Sequence, residues 1–295
     1  RWIAGLMTAA MLTGLLPAGA AAAPASGHVI DVTDYGADPT GVRESTTAVE
    51  KALEAAKKLP ADEEKTLYFP EGEYHFYADY APVRELYVSN TVGLNQAYKD
   101  KHIGILVEDM ENLTIDGGGS MFMYHGDITT FAAIDSENIT FTNFSFDHAS
   151  PSVVDLTVES RVEGENAVIV YVPSCYDYEI VNGNSIRWYG EKGPVTGEPY
   201  WQGMNGLNYC QIYDTVSGRC WRGSGIFNGV TAIEDVGNDR LKFTYSGGLP
   251  TVGYSYEIRH AIRTTPGAFI WQSSNVTLKD LNAHFLHGFG IVGQL

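Results

Sequence analysis

Three short segments share one hydropathy pattern. NLTIDG at 112–117, NITFTN at 138–143 and NVTLKD at 275–280 each run Asn, aliphatic, Thr, apolar, polar, turn-former. Alternation puts Leu113/Ile115, Ile139/Phe141 and Val276/Leu278 on one face and Thr114, Thr140 and Thr277 on the other, which is the two-residue period of a half-buried strand. Before these repeats the period changes. Val49, Ala52, Leu53 and Ala56 make one apolar stripe with Glu50, Glu54, Lys57 and Lys58 elsewhere, so a helix is expected there with Ser45 as its N-cap. A first strand is expected in HVIDVTDYG (28–36), a turn in DYGADPTG (34–41), and two short strands about the Pro-Glu-Gly turn of KTLYFPEGEYHF (65–76).

Asn112 and Asn138 are 26 residues apart, a separation suited to one rung of a solenoid. The fold class expected is all-β: a parallel β-helix whose corner asparagines tolerate left-handed backbone and pass their amides from rung to rung. The helix then serves as a lid over the first rung, covering strand edges and core side chains that would otherwise face water. Between Asn138 and Asn275 the repeat vanishes. SVVDLTVES, NAVIVYVP, LNYCQIYD, GVTAIEDV and LKFTYSG alternate as short antiparallel strands instead, so an inserted antiparallel barrel or sandwich is expected over residues 150–263. The cap and first rungs then occupy 28–149, and the solenoid resumes over 264–295. Because HGFGIVGQL (287–295) brings no polar cap and terminal repeats need covering, the expectation is an N-terminal fragment of a longer protein.

Composition narrows the partners. Residues 1–23 combine a basic start, an apolar run from Ile3 to Leu16 and an Ala-rich end, which reads as a secretory signal peptide in preference to a membrane anchor and implies a secreted protein. The net charge of −17 repels polyanions, so nucleic acid is excluded as the expected partner and a neutral ligand is favoured over an acidic polysaccharide. Of three cysteines, Cys210 and Cys220 bracket an expected hairpin and are the candidate disulfide, with Cys175 left over.

Candidate chemistry follows from aligning the rungs on their asparagines. Nine residues on stand Met121, Asp147 and His284, and twelve on stand Tyr124, Ser150 and His287. If the insertion is a loop between neighbouring rungs, Asp147 and His284 sit about 4.8 Å apart in backbone. Such a pair can bind a sugar hydroxyl or hold a turn. The Asp116-Gly117-Gly118-Gly119-Ser120 run lacks the lysine of a phosphate loop and reads as a tight turn. His284 and His287 have H-x-x-H spacing without a further ligand pattern, so no metal site is expected. Trp188, Tyr189, Tyr200, Trp201 and Trp221 lie around Gly-rich loops, where they serve as core or as sugar-stacking surfaces.

VIDVTDYGADPTGVRESTTAVEKALEAA (29–56) followed by LYFPEGEYHF (67–76) resembles the opening of pectate-lyase-like right-handed β-helix proteins. Residues 104–152 and 263–295 look like glycoside hydrolase family 110, the exo-acting α-1,3-galactosidases. That resemblance implies removal of terminal α-1,3-linked galactose from glycans with inversion and no required cofactor. Inversion needs an acid and a base whose carboxyls are roughly 6.5–9.5 Å apart. The family's catalytic aspartates match no residue of this sequence and are expected beyond Leu295, which leaves Asp147, His148, His284 and His287 as candidate substrate contacts. Two alternatives stay open: a lyase or polygalacturonase on the same scaffold, and a non-catalytic glycan-binding solenoid.

Overall fold

The computed structural model describes residues 27–88, 96–207, 209–259 and 264–295; the expected signal peptide, 1–23, lies outside the described residues. The chain begins with β1 (His28–Asp31), β2 (Thr40–Glu44), helix α1 (Thr46–Lys57), β3 (Lys65–Tyr68) and β4 (Glu73–Tyr77). It continues with β5 (Val83–Glu85), β6 (Asp100–Glu108), β7 (Glu111–His125), β8 (Ile128–Ile134) and β9 (Glu137–His148). Two parallel stacks result. In one, β1, β3 and β7 line up with β9 and later with β21 (Ser274–Ala283), while β2 and β4 extend along the second half of β7. In the other, β6, β8, β20 (Ala268–Trp271) and β22 (Ile291–Gln294) pair in parallel, with β5 antiparallel at the edge. The expected all-β class with a single helix holds for the described residues.

The repeated segments are in register. Ile139 faces Leu113 on one side and Val276 on the other, and Thr140 faces Thr114 and Thr277. The corner works as its chemistry predicts. Asn112, Asn138 and Asn275 have φ of 53°, 55° and 51°, a left-handed conformation that asparagine tolerates better than most residues. The Asn138 amide donates to Asn112 Oδ1 at 3.0 Å, and the Asn275 amide donates to Asn138 Oδ1 at 2.5 Å. One irregularity interrupts the order. Gly117, Gly118 and Gly119 stand against Asn143 alone, because Asp116 pairs with Thr142 and Ser120 with Phe144. Gly118 has φ +58° and a Cβ there would lie 2.1 Å from the Phe69 carbonyl oxygen, so glycine is required. The tight turn expected at 116–120 is instead a bulge within the continuous strand β7, because the chain keeps pairing with β9 on both sides of the glycines.

Inside, aromatic rings pack between neighbouring strands: Phe122 stacks on Phe144 at 4.6 Å and Phe76 on Tyr124 at 5.0 Å, while Phe69 meets Phe122 at 4.7 Å with planes tilted by 49°. Each buried ring contributes about 1.5–3 kcal/mol by leaving water, with roughly 0.5–1.5 kcal/mol more from ring pairing. Val49, Ala52, Leu53 and Ala56 of α1 join the same core as Ile105 and Val107, so the helix packs against both parallel stacks. Ser45 takes the N-cap position but caps differently from expectation. Its hydroxyl accepts from Asp38 N at 3.0 Å, and Glu44 Oε2 accepts from Thr47 N at 3.1 Å instead.

From Val154 to Arg259 the pairing is antiparallel. The strands are β10 (Val154–Arg161), β11 (Ala167–Tyr171), β12 (Asp177–Val181), β13 (Ser185–Tyr189), β14 (Gln202–Met204), β15 (Tyr209–Asp214), β16 (Cys220–Arg222), β17 (Val230–Asp235), β18 (Arg240–Tyr245) and β19 (Tyr254–Arg259). Seven form one sheet, and β12, β13 and β14 form another. Ile186 and Trp188 of the small sheet share a core with Val154, Leu156 and Phe243 of the large one.

The cysteines correct an expectation. Cys175, Cys210 and Cys220 are all free. Strands β15 and β16 do pair, but Cys220 stands opposite Tyr213, three positions from Cys210. That offset is roughly 10 Å along a strand, whereas a disulfide needs Cα atoms within about 7 Å; an odd offset also turns the two thiols to opposite faces.

The asparagine ladder can be tested at its middle rung. Asn138→Ala should cost about 1–3 kcal/mol by chemical denaturation, since two side-chain hydrogen bonds and the left-handed preference are lost together. Asn138→Gly, which restores the backbone preference, should recover part of that loss; equal stability of both variants and wild type would contradict the ladder.

Candidate functional site

Strand alternation in the second halves of β4, β7, β9 and β21 sorts side chains into two layers. Tyr74, Phe76, Phe122, Tyr124, Phe146 and His148 are buried. The residues between them point outward in rows fixed by register: Glu73, Met121, Ser145 and Asn282 form one, and His75, Met123 and Asp147 the next. His284 continues the second row, because its backbone N–H donates to Phe146 O at 3.0 Å. Tyr77 faces His125 one step further along. This polar face sits beside the antiparallel sheets.

The expected neighbours Asp147 and His284 are thus on adjacent strands, though their side chains bond elsewhere. Asp147 Oδ1 accepts from the backbone N–H groups of His148 at 2.8 Å and Phe285 at 3.1 Å. The His284 ring pairs with the Asn282 amide at 3.0 Å. Two glycines shift the outward rows: Met123, and not Met121, stands beside Asp147.

His148 and His287 lie elsewhere than the polar face. His148 is buried, with its ring 4.1 Å from that of His287. Burial, together with His287 and His125, holds the His148 imidazole well below the ordinary histidine value, and burial also lowers His287. Both rings are therefore neutral near pH 7. His287 Nε2–H donates to Gly126 O at 3.1 Å and Nδ1 accepts from Ser152 Oγ at 2.6 Å. This ties the segment after β21 to the chain on either side of β8 and β9.

The densest chemistry involves residues that sequence reading did not single out. Glu73 Oε1 contacts His75 Nε2 at 2.8 Å, His75 Nδ1 contacts His125 Nε2 at 2.8 Å, and His125 Nδ1 contacts Glu191 Oε2 at 2.6 Å. The contacts run carboxylate, imidazole, imidazole, carboxylate, so both nitrogens of each ring are engaged. Tyr77 lies flat on His125, with centroids 4.0 Å apart and planes 4° apart. Gly41 makes room, since a Cβ there would come within 3.0 Å of His75 Nε2. Glu191 arrives from the loop after β13, joined by Tyr200, whose N–H donates to Glu191 O at 3.0 Å and whose ring lies against Gly126. Asp79 Oδ2 accepts from Val195 N at 2.8 Å in the same contact. The aromatics divide in role: Trp188 is core and donates to Asn205 O at 2.7 Å, Trp201 is partly buried against that core, and Trp221 is 37% exposed.

A polar face beside an aromatic-lined docking loop suits hydroxyl-rich ligands. Residues 29–82 match the family model for rhamnogalacturonase A/epimerase, pectate lyase-like. Alpha-1,3-galactosidase A of Streptomyces avermitilis is 46% identical over 290 residues, covering 97% of this chain and 46% of that protein. By sequence the chain is a homologue of the alpha-1,3-galactosidases. Alpha-1,3-galactosidase A of Peterkaempfera griseoplana is 47% identical over 272 residues, 90% of this chain and 37% of that protein. The enzyme of that name from Bacteroides fragilis strain YCH46 is 32% identical over 267 residues, 89% and 41% respectively. The chain therefore spans about half or less of the length of these relatives. Its resemblance to the α-1,3-galactosidases and to a pectate-lyase-like domain holds.

Two outcomes check this geometry. Above about pH 6.5 the inner histidines are neutral folded or unfolded and contribute no pH dependence. Below it the unfolded chain takes up protons that His148 and His287 refuse, so folding is penalised progressively as pH falls. The melting-temperature difference between His148→Phe and wild type should then move in favour of the variant from pH 7 to pH 5, and a constant difference would count against neutral burial. In the outer chain, His125→Phe keeps the stack on Tyr77 but removes two hydrogen bonds, at a cost of about 0.5–1.5 kcal/mol each. Amide exchange across residues 190–200 should accelerate while β9 stays protected.

Proposed function

We propose that the intact protein is a secreted glycoside hydrolase that removes terminal α-1,3-linked galactose from neutral glycans with inversion. The observation that carries this reading is 46–47% identity, over 90–97% of the chain, to proteins named alpha-1,3-galactosidase. The parallel stacks support a right-handed β-helix spanning 28–149 and 264–295, with the antiparallel sheets as a domain inserted over 150–263. The net charge of −17 favours a neutral galactoside over an acidic polysaccharide or nucleic acid. Among the described residues no helix is long and apolar enough to cross a membrane.

In this reading the face carrying His75, Met123, Asp147 and His284 contacts the glycan. Asp147 is held by two backbone N–H groups, so it acts as a fixed hydrogen-bond acceptor for a sugar hydroxyl. The acid–base carboxylate pair is supplied by residues outside the 295 described by this sequence, and no residue here is given that role. The chemistry needs no cofactor, because a protonated carboxyl and a carboxylate-activated water suffice for inversion.

The reading is tested with the full-length protein and α-1,3-galactobiose followed by proton NMR. β-Galactose should appear first and mutarotate to the α anomer. Initial α-galactose would overturn inversion, and turnover of polygalacturonate in place of galactobiose would move the protein to the acidic-polysaccharide enzymes.

A further inference from the structure

The small antiparallel sheet carries a cleft whose lining shares no residue with the polar face. Register places Asp177 opposite Tyr189 and Tyr189 opposite Gln202, so one row crosses all three strands. Their neighbours Tyr178 and Trp188 pack into the core on the other side, which sends this row to the solvent face. After β13 the chain doubles back, bridging Lys192 to Pro199, and raises Lys192 and Glu198 as a wall. The resulting cleft, of about 690 Å³, is within the usual size of ligand sites, roughly 300–1,000 Å³.

Its side chains are ready for a ligand. The Tyr189 hydroxyl donates to Glu179 Oε2 at 3.0 Å, which fixes the ring. Among the described residues the side chains of Asp177, Lys192, Glu198 and Gln202 have no hydrogen-bond or ion-pair partner, so two carboxylates, an ammonium and an amide offer both donors and acceptors to one space. An anion would meet Asp177 and Glu198 on a chain of charge −17. A flat ring beside such a set matches a molecule with one face of C–H groups and a rim of hydroxyls. We propose that this cleft binds a neutral pyranose ring, as a second sugar site that does not depend on which bond the enzyme cleaves. The loop that walls it also carries Glu191, anchored on His125, so the cleft is held beside the face bearing His75.

The test uses the intact protein with D-galactose as probe, which the proposed reaction releases and does not consume. Crystals soaked in it should show a sugar ring at Tyr189. In calorimetric titration Tyr189→Ala and Asp177→Ala should weaken binding about fivefold or more, and Tyr189→Phe should hold it within about twofold, all three melting as wild type does. Density confined to the Asp147 face, wild-type affinity in both alanine variants, or equal binding of digalacturonate would each overturn the proposal. So would a loss in Tyr189→Phe as large as in Tyr189→Ala, which would assign the effect to the hydroxyl's bond with Glu179. If galactobiose is hydrolysed normally while these outcomes fail, the enzymatic reading stands alone; if the cleft binds and no hydrolysis occurs, the cleft stands alone.

Discussion

Asn112, Asn138 and Asn275 each turn the chain with a positive φ and each shares its amide with a neighbour in the ladder. Because a strand's side chains alternate, fixing one corner fixes the face on which every later residue of that strand emerges. A slip of one residue at any of them would expose the buried aromatics and bury the polar face. The backbone hydrogen bonds of parallel strands are the same in either register. The asparagine corners and the apolar faces together select one.

That constraint produces the contrast between the two histidine groups. His148 is inward and His125 outward, yet they approach the same region of the fold from opposite sides of a single layer. Inside, among the described residues, no carboxylate is hydrogen-bonded to either ring, and burial disfavours charge on both. Outside, two carboxylates bracket the His75–His125 pair and hydrogen-bond it at both ends. The same residue type performs neutral packing on one face and hydrogen-bonded docking on the other.

Much of this was legible in the sequence where the signal was local. The 26-residue recurrence of Asn, the alternating triplets and the helix stripe each lie within one element, and the strands between 154 and 259 alternate clearly. What was missed depends on distance along the chain. His125 and Glu191 are 66 residues apart and His75 and His125 are 50 apart, so no spacing rule pairs them. The glycine bulge at 117–119 shifts the second half of β7, which put Met121 where Met123 belongs beside Asp147. For the cysteines the hairpin was readable, but a register offset of three residues was not.

Strand β21 docks on β9 across 137 residues, whereas its predecessors pair across about 26. If the intervening chain were a random coil, closing that loop would cost about 1.5 kcal/mol more in entropy. The first and last strands of the antiparallel segment remove most of that cost, because Val154 pairs directly with Ile258. Once they meet, the chain leaves the ladder and returns to it at nearly the same point. The long detour then becomes, in polymer terms, a short loop, and the ladder can resume almost as though its rungs were consecutive.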